Sequence, residues 1–257
     1  MTSRLAGKHA AIIGATGSIG SSIAKAFAQQ GAVLSLLGRT ALDAQRTLGP
    51  QLTPYQPLAG DSSKAPTEHR FIKLDVTSSA ELKRLFSSRK ATDDAVGAVD
   101  ILVNCAGITQ TTILKRTHDE DIEKVMDTNL TSAILACKHA QINDNGCILN
   151  VSSLMATRPA IGAAVYTAAK AGMIGLTSAL SLELAPRSVR ANALLPGWVE
   201  SPMWNNLKPD LKEQYLKRIP ARRVAAPEEV ADAAVFLAAN SYANNCILNL
   251  DGGLSAA

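Results

Sequence analysis

The stretch Ile12-Ile13-Gly14-Ala15-Thr16-Gly17-Ser18-Ile19-Gly20 decides the fold, because its glycines join a short apolar run to a helical pattern. Glycine allows the backbone to turn tightly and to approach a phosphate group closely. The start of the following helix offers unpaired N–H groups and a partial positive charge. The stretch therefore predicts the first strand, turn and helix of a dinucleotide-binding sheet, although its spacing is not G-x-G-x-x-G.

Six further apolar runs of strand length follow, separated by longer helical patterns. Their nearly continuous apolarity indicates strands buried on both faces, which is typical of a parallel sheet covered by helices. The β-α-β-α order predicts one α/β domain over residues 1–257: a doubly wound, Rossmann-type parallel sheet of about seven strands with right-handed crossovers and helices on both faces. The predicted strands are residues 9–13, 33–37, 71–74, 101–103, 147–151, 189–195 and 246–250.

Three local signals predict where helices begin. Ser78 and Glu81 have the spacing of a capping box, in which the serine accepts a hydrogen bond from the third N–H and the glutamate reaches back. Thr117 and Glu120 repeat that spacing. Pro227, with two glutamates after it, predicts a first helical turn whose acids favour the positive end of the helix dipole.

The composition is ordinary for a globular protein and excludes several classes of function. The chain of 257 residues has a formal net charge of +4 and no block of like charges, which argues against nucleic-acid binding. No apolar run reaches the ~20 residues that a membrane span needs. The four cysteines form no C-x-x-C pair and no metal-ligand pattern, so we expect free thiols and no bound metal.

The N-terminal residues bear on the compartment. The stretch before Asp43, the first acidic residue, is rich in serine, as mitochondrial transit segments are. The same stretch holds the predicted first strand and helix, whose removal would also remove the nucleotide site. We therefore expect a cytoplasmic protein, with the mitochondrial matrix as the alternative.

The ends of the next strands extend the nucleotide site, because an open α/β sheet binds ligands outside the carboxyl ends of its strands. Arg39 follows the second strand, where an acid would bind the ribose 2′-hydroxyl of NAD and an arginine accommodates the 2′-phosphate of NADP. Asp75 and Val76 end the third strand, and Asn104-Cys105-Ala106-Gly107 ends the fourth. These residues predict NADPH or NADP as the cofactor.

Three side chains predict the chemistry. Ser153 follows the fifth strand, and Tyr166 and Lys170 lie on one face of a helical pattern that runs to about Leu184. A nearby ammonium lowers the pKa of a phenol from its ordinary value of ~10 toward the working pH of a general acid. A serine hydroxyl can donate to a carbonyl oxygen on which negative charge develops. We expect Tyr166 to protonate a carbonyl oxygen.

Together these motifs resemble the short-chain dehydrogenase/reductase family over essentially the whole chain. The resemblance is carried by Gly14, Ser18 and Gly20 for the G-x-x-x-G-x-G turn, 104–107 for N-N-A-G, Asn129 and Ser153 for the catalytic asparagine and serine, Tyr166 and Lys170 for Y-x-x-x-K, and Pro196-Gly197 for the P-G turn. It implies Asn129, Ser153, Tyr166 and Lys170 as catalytic residues. It implies cofactor contacts at Gly14, Thr16, Ser18, Ile19, Gly20, Arg39, Asp75, Val76, Asn104, Ala106, Gly107, Tyr166, Lys170, Pro196, Gly197, Val199 and Ser201.

Within that family, residues 215–238 and 248–253 resemble the 3-oxoacyl-[acyl-carrier-protein] reductases and related carbonyl reductases. The resemblance implies NADPH-dependent reduction of a β-keto acyl thioester in fatty acid biosynthesis, with acyl-carrier protein as a partner. It also implies a homo-oligomer, either a tetramer or a dimer. In that family pattern Lys170 also holds the cofactor ribose, and Asn129 holds a water that relays protons toward Lys170.

The sequence departs from the family in three places. Ser18 replaces a glycine of the nucleotide turn, although Gly17 is adjacent. Residues 141–146 predict an early end to a helix that, in the family, packs against a neighbouring subunit. Residues 49–70 form a long loop with four prolines, which we expect on the surface near the adenosine end.

Two other functions stay open: the same chemistry on another ketone, sugar, polyol, steroid or quinone, and a non-catalytic nucleotide-binding subunit of a mixed oligomer. The segment of about 200–225 is the predicted substrate lid, and it begins near Trp198. Its apolar side chains, which suit contact with a substrate chain, are Met203, Trp204 and Leu207. Its basic side chains, which suit an anionic carrier, are Lys208, Lys212, Lys217, Arg218, Arg222 and Arg223.

Overall fold

The computed structural model describes residues 3–57 and 65–256, and seven parallel strands form its sheet. In chain order the strands are β1 (His9–Ile13), β2 (Val33–Gly38), β3 (Arg70–Lys73), β4 (Val99–Asn104), β5 (Ile142–Val151), β6 (Arg190–Pro196) and β7 (Ile247–Leu250). They lie in the order β3-β2-β1-β4-β5-β6-β7. The predicted parallel sheet of about seven strands is confirmed.

The helices alternate with the strands along the chain. They are α1 (Ser18–Gln29), α2 (Ala41–Leu48), α3 (Ser79–Phe86), α4 (Asp119–Met126), α5 (Ser132–His139), α6 (Ala164–Glu183), α7 (Pro202–Asn205), α8 (Pro209–Arg218) and α9 (Pro227–Ala239). Within the described parts of the chain, no helix is long and apolar enough to cross a membrane.

Two apolar cores, one on each face of the sheet, hold these layers together. Ile12 of β1 packs into the same core as Phe27 of α1 and Leu237 of α9. Its neighbour Ile13 points the other way, into the core that contains Leu82 of α3. Successive strand residues point to opposite faces, so burial on both sides explains the continuous apolar runs in the sequence.

The strand order reverses between β1 and β4, and this is where an open α/β sheet forms its ligand crevice. The backbones are unusually close there. A Cβ atom on Gly14, whose φ is +84°, would lie 2.6 Å from the Ala106 nitrogen. A Cβ atom on Gly20 would lie 2.2 Å from the Gly14 carbonyl oxygen. Both positions therefore require glycine for steric reasons.

The capping box predicted at Ser78 forms one of its two expected hydrogen bonds. The Ser78 hydroxyl accepts from the Glu81 N–H at 3.2 Å, as predicted. The Glu81 carboxylate, however, accepts from the Asp75 N–H at 2.9 Å instead of reaching the serine N–H. The reason is that the Ser78 N–H already donates to the Asp75 carbonyl oxygen.

The other two helix starts differ in outcome. The capping prediction for Thr117 is wrong, because α4 begins at Asp119 and the Thr117 hydroxyl donates to the Ile113 carbonyl oxygen in the preceding turn. The prediction for Pro227 is confirmed, since α9 begins there and the Glu229 carboxylate accepts from the Ala226 N–H at 2.8 Å.

The structure shows what residues 141–146 and most of residues 49–70 form. The helix α5 does end early, at His139, but most of residues 141–146 belong to β5, whose first residue Ile142 pairs with Val99 across a register shift. The long loop begins with a short 3-10 turn, Gly49–Gln51, and its described residues before Arg70 form no further helix or strand. Residues 58–64 of that loop lie outside the described residues.

Candidate active site

A cavity of about 850 Å³ lies at the carboxyl ends of the strands and joins the glycine turn to the start of α6. The predicted site residues that line it are Gly14, Ser18, Ile19, Gly20, Gly107, Ser153, Tyr166, Lys170, Pro196, Gly197, Val199 and Ser201. The predicted residues outside its lining are Thr16, Arg39, Asp75, Val76, Asn104, Ala106 and Asn129. The structure thus brings the nucleotide turn and most of the predicted catalytic set to one cavity.

The glycine turn fits a diphosphate. Helix α1 begins at Ser18, and no side chain caps its first N–H groups. At Gly17 a Cβ atom would meet one ordinary contact, the Gly14 oxygen at 3.6 Å, so this part of the turn is not crowded. An uncapped helix N-terminus behind an open glycine cradle is a favourable site for phosphate.

Three of the predicted residues outside the cavity mark the expected adenosine end. Thr16 accepts a hydrogen bond from the Thr40 hydroxyl at 3.2 Å, which ties the glycine turn to the segment after β2. Arg39 lies exposed in that segment. The pKa of Asp75 is lowered by hydrogen bonds from Thr77 and, to a smaller extent, by the positive charge of Arg39. Arg39 and Asp75 therefore lie near each other, at the ends of neighbouring strands.

The Tyr166 phenol lies beside the Ser153 hydroxyl, but its electrostatics differ from the sequence-based expectation. Burial raises the pKa of Tyr166, and the hydrogen bond with Ser153 offsets this only in part. The Lys170 ammonium lies 5.8 Å from the centre of the phenol ring. The expected lowering of this pKa by Lys170 is therefore wrong for the protein alone, because desolvation of the phenol has the larger effect.

Lys170 is anchored at the end of β5. Its ammonium donates to the Val151 carbonyl oxygen at 2.9 Å, and only 4% of the residue is exposed. Its own carbonyl oxygen accepts from the Ser152 hydroxyl at 2.7 Å. Burial lowers the pKa of Lys170 to about 8, so the ammonium can lose its proton close to neutral pH.

This depressed pKa predicts how stability depends on pH in the cofactor-free protein. Between pH 8 and the ordinary lysine value of 10.5, the unfolded chain binds a proton that the folded chain does not, so stability rises with pH. Relative to Lys170→Met, the wild type should gain about 3 kcal/mol in free energy of unfolding across that window, measured by urea denaturation. Lys124→Met, at an exposed lysine of α4, should keep the wild-type slope. Equal slopes for wild type and Lys170→Met would contradict the prediction.

Asn129 is buried behind the cavity, in a π-helical turn at Asp127–Thr131. Its amide donates to the carbonyl oxygens of Ile108 and Val125 at 3.0 and 2.9 Å, and its Oδ1 accepts from the Ile108 N–H at 3.1 Å. A Cβ atom on Gly107 would lie 2.7 Å from that Oδ1 and 3.4 Å from the Lys170 ammonium. Asn129 and Lys170 are thus neighbours across Gly107, and the water relay between them stays a prediction.

The Asn104 side chain is part of a buried chain of hydrogen bonds. Its amide donates to the Asn150 side chain at 2.8 Å, and Asn150 donates in turn to the Thr177 hydroxyl at 2.9 Å. This buried chain of hydrogen bonds links β4, β5 and α6. Asn104 lies outside the cavity lining, and its contact with the cofactor stays a prediction.

The residues after β6 form another part of the cavity wall. A Cβ atom on Gly197 would lie 2.9 Å from the Asp251 Cα atom, so this turn also packs backbone against backbone. The Ser201 hydroxyl accepts from the Trp204 N–H at 3.2 Å and donates to the Val199 carbonyl oxygen at 3.1 Å. Ser201 thereby caps α7 and fixes the start of the predicted lid.

An aromatic cluster holds the lid together. The Trp198 ring centre lies 4.6 Å from that of Tyr215 on α8 and 5.5 Å from that of Trp204 on α7. Trp198 and Tyr215 both line the cavity. The side chain of Met203, predicted to make apolar contacts here, lies outside the described residues.

Gln110 is a site residue that the sequence analysis missed. Its Oε1 accepts from the N–H groups of Val165 and Tyr166 at 2.8 and 3.2 Å, and its amide donates to the Thr112 carbonyl oxygen. It caps the N-terminus of α6 and so fixes the turn that carries the phenol. Gln110 is more than fifty positions from Val165 and Tyr166 in the sequence, and no local sequence signal points to these contacts.

Comparison with known proteins agrees with this arrangement. The family model described as Enoyl-(Acyl carrier protein) reductase matches residues 14–255. The chain is 35% identical to 3-oxoacyl-[acyl-carrier-protein] reductase FabG of Chlamydia muridarum, over 99% of this chain and 100% of that protein. It is 34% identical to carbonyl reductase family member 4 of Danio rerio, over 95% and 97% of the two chains. A short-chain dehydrogenase/reductase from Serratia marcescens superposes with a TM-score of 0.85 at 29% identity, over 98% and 99% of the chains.

The parallel sheet, the glycine turn and the phenol–lysine pair in one cavity define a nucleotide-dependent oxidoreductase. The comparisons make this specific: the chain belongs to the short-chain dehydrogenase/reductase family. Its relatives include the 3-oxoacyl-[acyl-carrier-protein] reductases that the sequence pattern resembles. Oxidoreductases of this family use a nicotinamide cofactor.

Proposed function

We propose that this enzyme reduces a 3-oxoacyl thioester, carried by acyl-carrier protein, to the 3-hydroxyacyl form with NADPH. The observation that carries the proposal is the cavity of about 850 Å³ in which the diphosphate cradle meets Ser153, Tyr166 and Lys170. The names of the relatives at 35% and 34% identity supply the substrate class. The pattern of residues 215–238 and 248–253 agrees with them.

When bound, the nicotinamide cofactor would supply a hydride for the carbonyl carbon. In the proposed mechanism Ser153 donates a hydrogen bond to the carbonyl oxygen as negative charge develops there. Tyr166 then transfers its phenolic proton to that oxygen. Lys170, whose ammonium donates to the Val151 carbonyl oxygen, would hold the cofactor ribose, and Lys170 and Asn129 would return a proton to the Tyr166 phenolate.

The direct test of this proposal is a substrate panel. When purified enzyme is mixed with NADPH and an acetoacetyl thioester, the absorbance of NADPH at about 340 nm should fall and the 3-hydroxybutanoyl thioester should form. Activity that is confined to quinones, polyols, steroids or sugars would instead assign the same chemistry to another substrate class. Equal turnover of all carbonyl compounds would contradict a dedicated thioester reductase.

The choice of NADPH over NADH rests on Arg39. This exposed arginine follows β2, where its guanidinium can form an ion pair with the 2′-phosphate of NADPH. Arg39→Asp should lower kcat/KM for NADPH by about 10-fold or more while improving kcat/KM for NADH, which is measured by varying each cofactor at fixed ketone. Arg46→Asp, at a basic residue further along α2, is the matched charge-reversal control. An unchanged NADPH/NADH ratio in Arg39→Asp would show that Arg39 does not read the phosphate.

The oligomeric state and the compartment are also proposals. A homotetramer or homodimer is supported by large apolar side chains left exposed, namely Leu182 on α6, Phe236 on α9 and Tyr242 after it. All four cysteines are free thiols, which supports a reducing compartment, the cytoplasm or alternatively the mitochondrial matrix. Sedimentation of the purified chain at micromolar concentration would measure the assembly directly.

A further inference from the structure

We propose that Arg158, Lys217 and Arg218 form an anion subsite on the substrate side of the cavity. The subsite binds a negative group that is covalently part of the substrate, either the phosphate of the arm that carries the thioester or a carboxylate on the acyl chain. This inference rests on the proposed thioester function and adds that the natural substrate carries a negative charge.

The first support is the charge of the cavity lining. Its cations are Lys170 at the catalytic end and the three subsite residues, and no aspartate or glutamate lies among the described residues that line it. The three subsite cations are exposed, whereas Lys170 is buried. A cavity with one sign of charge attracts ligands of the opposite sign. Lys170 is buried beside the Tyr166 ring and donates to the Val151 carbonyl oxygen, so the exposed cations of the lining are the three of the subsite.

Arg158 is held in place from two sides. Its N–H donates to the Leu154 carbonyl oxygen at 2.9 Å, in the turn directly after Ser153. Its guanidinium donates to the Ser255 carbonyl oxygen in the C-terminal turn Leu254–Ala256, and Leu254 itself lines the cavity. A guanidinium has five N–H donors, so this single contact leaves donors for a phosphate or carboxylate.

Lys217 and Arg218 end helix α8, on the lid side of the cavity. The Lys217 ammonium contacts Glu213 at 2.7 Å, in an exposed pair of the kind that contributes little to stability. The Arg218 guanidinium makes no hydrogen bond or ion pair with any residue that the structure describes. Its charge is therefore available to a ligand.

The structure also separates these cations from the other basic residues of the lid. Arg223 forms a two-bonded pair with Glu229, both contacts at 2.6 Å, and Arg222 donates to the Lys217 carbonyl oxygen. Neither arginine lines the main cavity. The sequence-based expectation that the whole basic set meets an anionic carrier is thus narrowed to Lys217 and Arg218, with Arg158 added from a different segment.

The position of the subsite favours the substrate over the cofactor as its ligand. Its residues come from the segment after Ser153 and from the lid, whereas the cofactor diphosphate already has the N-terminus of α1 and the Gly17 cradle. That cradle, Tyr166 and the subsite residues all line the same cavity. A ketone placed at Tyr166 therefore has its attached arm or chain directed to the remaining part of the cavity.

Binding of two matched ligand pairs to the NADP-saturated enzyme tests the subsite. The pairs are pantetheine with 4′-phosphopantetheine, and pentanoyl-pantetheine with glutaryl-pantetheine, which differ by a phosphate and by a terminal carboxylate. By titration calorimetry, the charged member of at least one pair should bind about 10-fold more tightly, and the preference should shrink as salt rises. Which pair shows the preference identifies the source of the anion. Equal affinities within both pairs would overturn the proposal.

Variants then connect the preference to these residues. Arg158→Met combined with Arg218→Met should reduce it to about 2-fold or less, while Lys208→Met, at a lid lysine outside the cavity lining, should leave it unchanged. Should the double variant fail to fold, Arg218→Met alone, which removes no described contact, should still weaken the preference by about 3-fold. A preference that survives in Arg218→Met and in the double variant would overturn the assignment.

The same ligands keep this proposal separate from the proposed function. None of them contains a ketone, so their binding does not depend on turnover. Acetoacetyl-pantetheine, which is neutral, measures the reductase activity alone. No reduction of it or of its phosphorylated form, together with charge-dependent binding lost in the variants, would refute the thioester reductase and support the anion subsite.

Discussion

Replacing Tyr166 with phenylalanine should lower kcat for ketone reduction by about 10²–10⁴-fold, the range that general acid catalysis contributes. The substitution removes one oxygen from the cavity and leaves the ring on α6. Hydride transfer would then place negative charge on a carbonyl oxygen that no proton reaches, and only the Ser153 hydroxyl remains beside it. Binding of NADPH should change by less than about 3-fold, so the loss should fall on kcat.

Tyr215→Phe is the matched control for that experiment. Its phenol lines the same cavity, but its ring packs on Trp198 with centres 4.6 Å apart, a contact that phenylalanine retains. The control should keep at least about half of the wild-type kcat. Equal losses in the two variants, or more than a tenth of the wild-type kcat in Tyr166→Phe, would remove the general-acid role from Tyr166.

The pH profile of kcat in the wild type bears on the same residue. Burial raises the pKa of Tyr166 in the cofactor-free protein, so its proton is firmly held across neutral pH. A firmly held proton suits the direction of reduction, in which the phenol must start protonated. Oxidation requires phenolate, and there the positive charge of the oxidised cofactor would have to bring the pKa down.

The strands and the catalytic helix were predictable because their signals are local. An inner strand such as β1 buries both faces, as the two cores around it show, and its sequence is therefore a continuous apolar run. The spacing of Tyr166 and Lys170 places them on one helix face whatever the surroundings. The first half of β5 was missed because Asn143, Asp144 and Asn145 are polar, the last two are exposed, and only Ile142 and Gly146 are buried there.

The parts that could not be predicted depend on contacts between distant segments. Gln110 caps α6 from another loop, and Arg158 reaches the C-terminal turn. The direction of the Tyr166 pKa shift is of the same kind, because desolvation depends on everything that packs around the phenol. Which lid cations face the cavity is decided by the end of α8 at Arg218 and by the pairing of Arg223 with Glu229.

The glycine turn gives the other large expected effect, and it is on folding. Gly20→Ala should lower the free energy of unfolding by about 3 kcal/mol and Tm by roughly 6–12 °C. Its Cβ atom would lie 2.2 Å from the Gly14 oxygen and 2.9 Å from the Gly14 carbon, so α1 would have to move away from the end of β1. Backbone atoms cannot turn aside as a flexible side chain can, and the apolar core around Phe27 would be strained with them.

Gly17→Ala is the control that separates this clash from a general intolerance of the turn. Its Cβ atom would lie 3.6 Å from the Gly14 oxygen, an ordinary contact, and its φ of −76° suits any residue. Unfolding by heat and by urea should show a loss below about 1 kcal/mol, the cost of a poorer helix cap. Affinity for the cofactor should still fall, because the added methyl enters the open cradle. Similar stabilities for the Gly20→Ala and Gly17→Ala proteins would mean that the close approach of α1 to Gly14 does not determine how the first strand and helix pack.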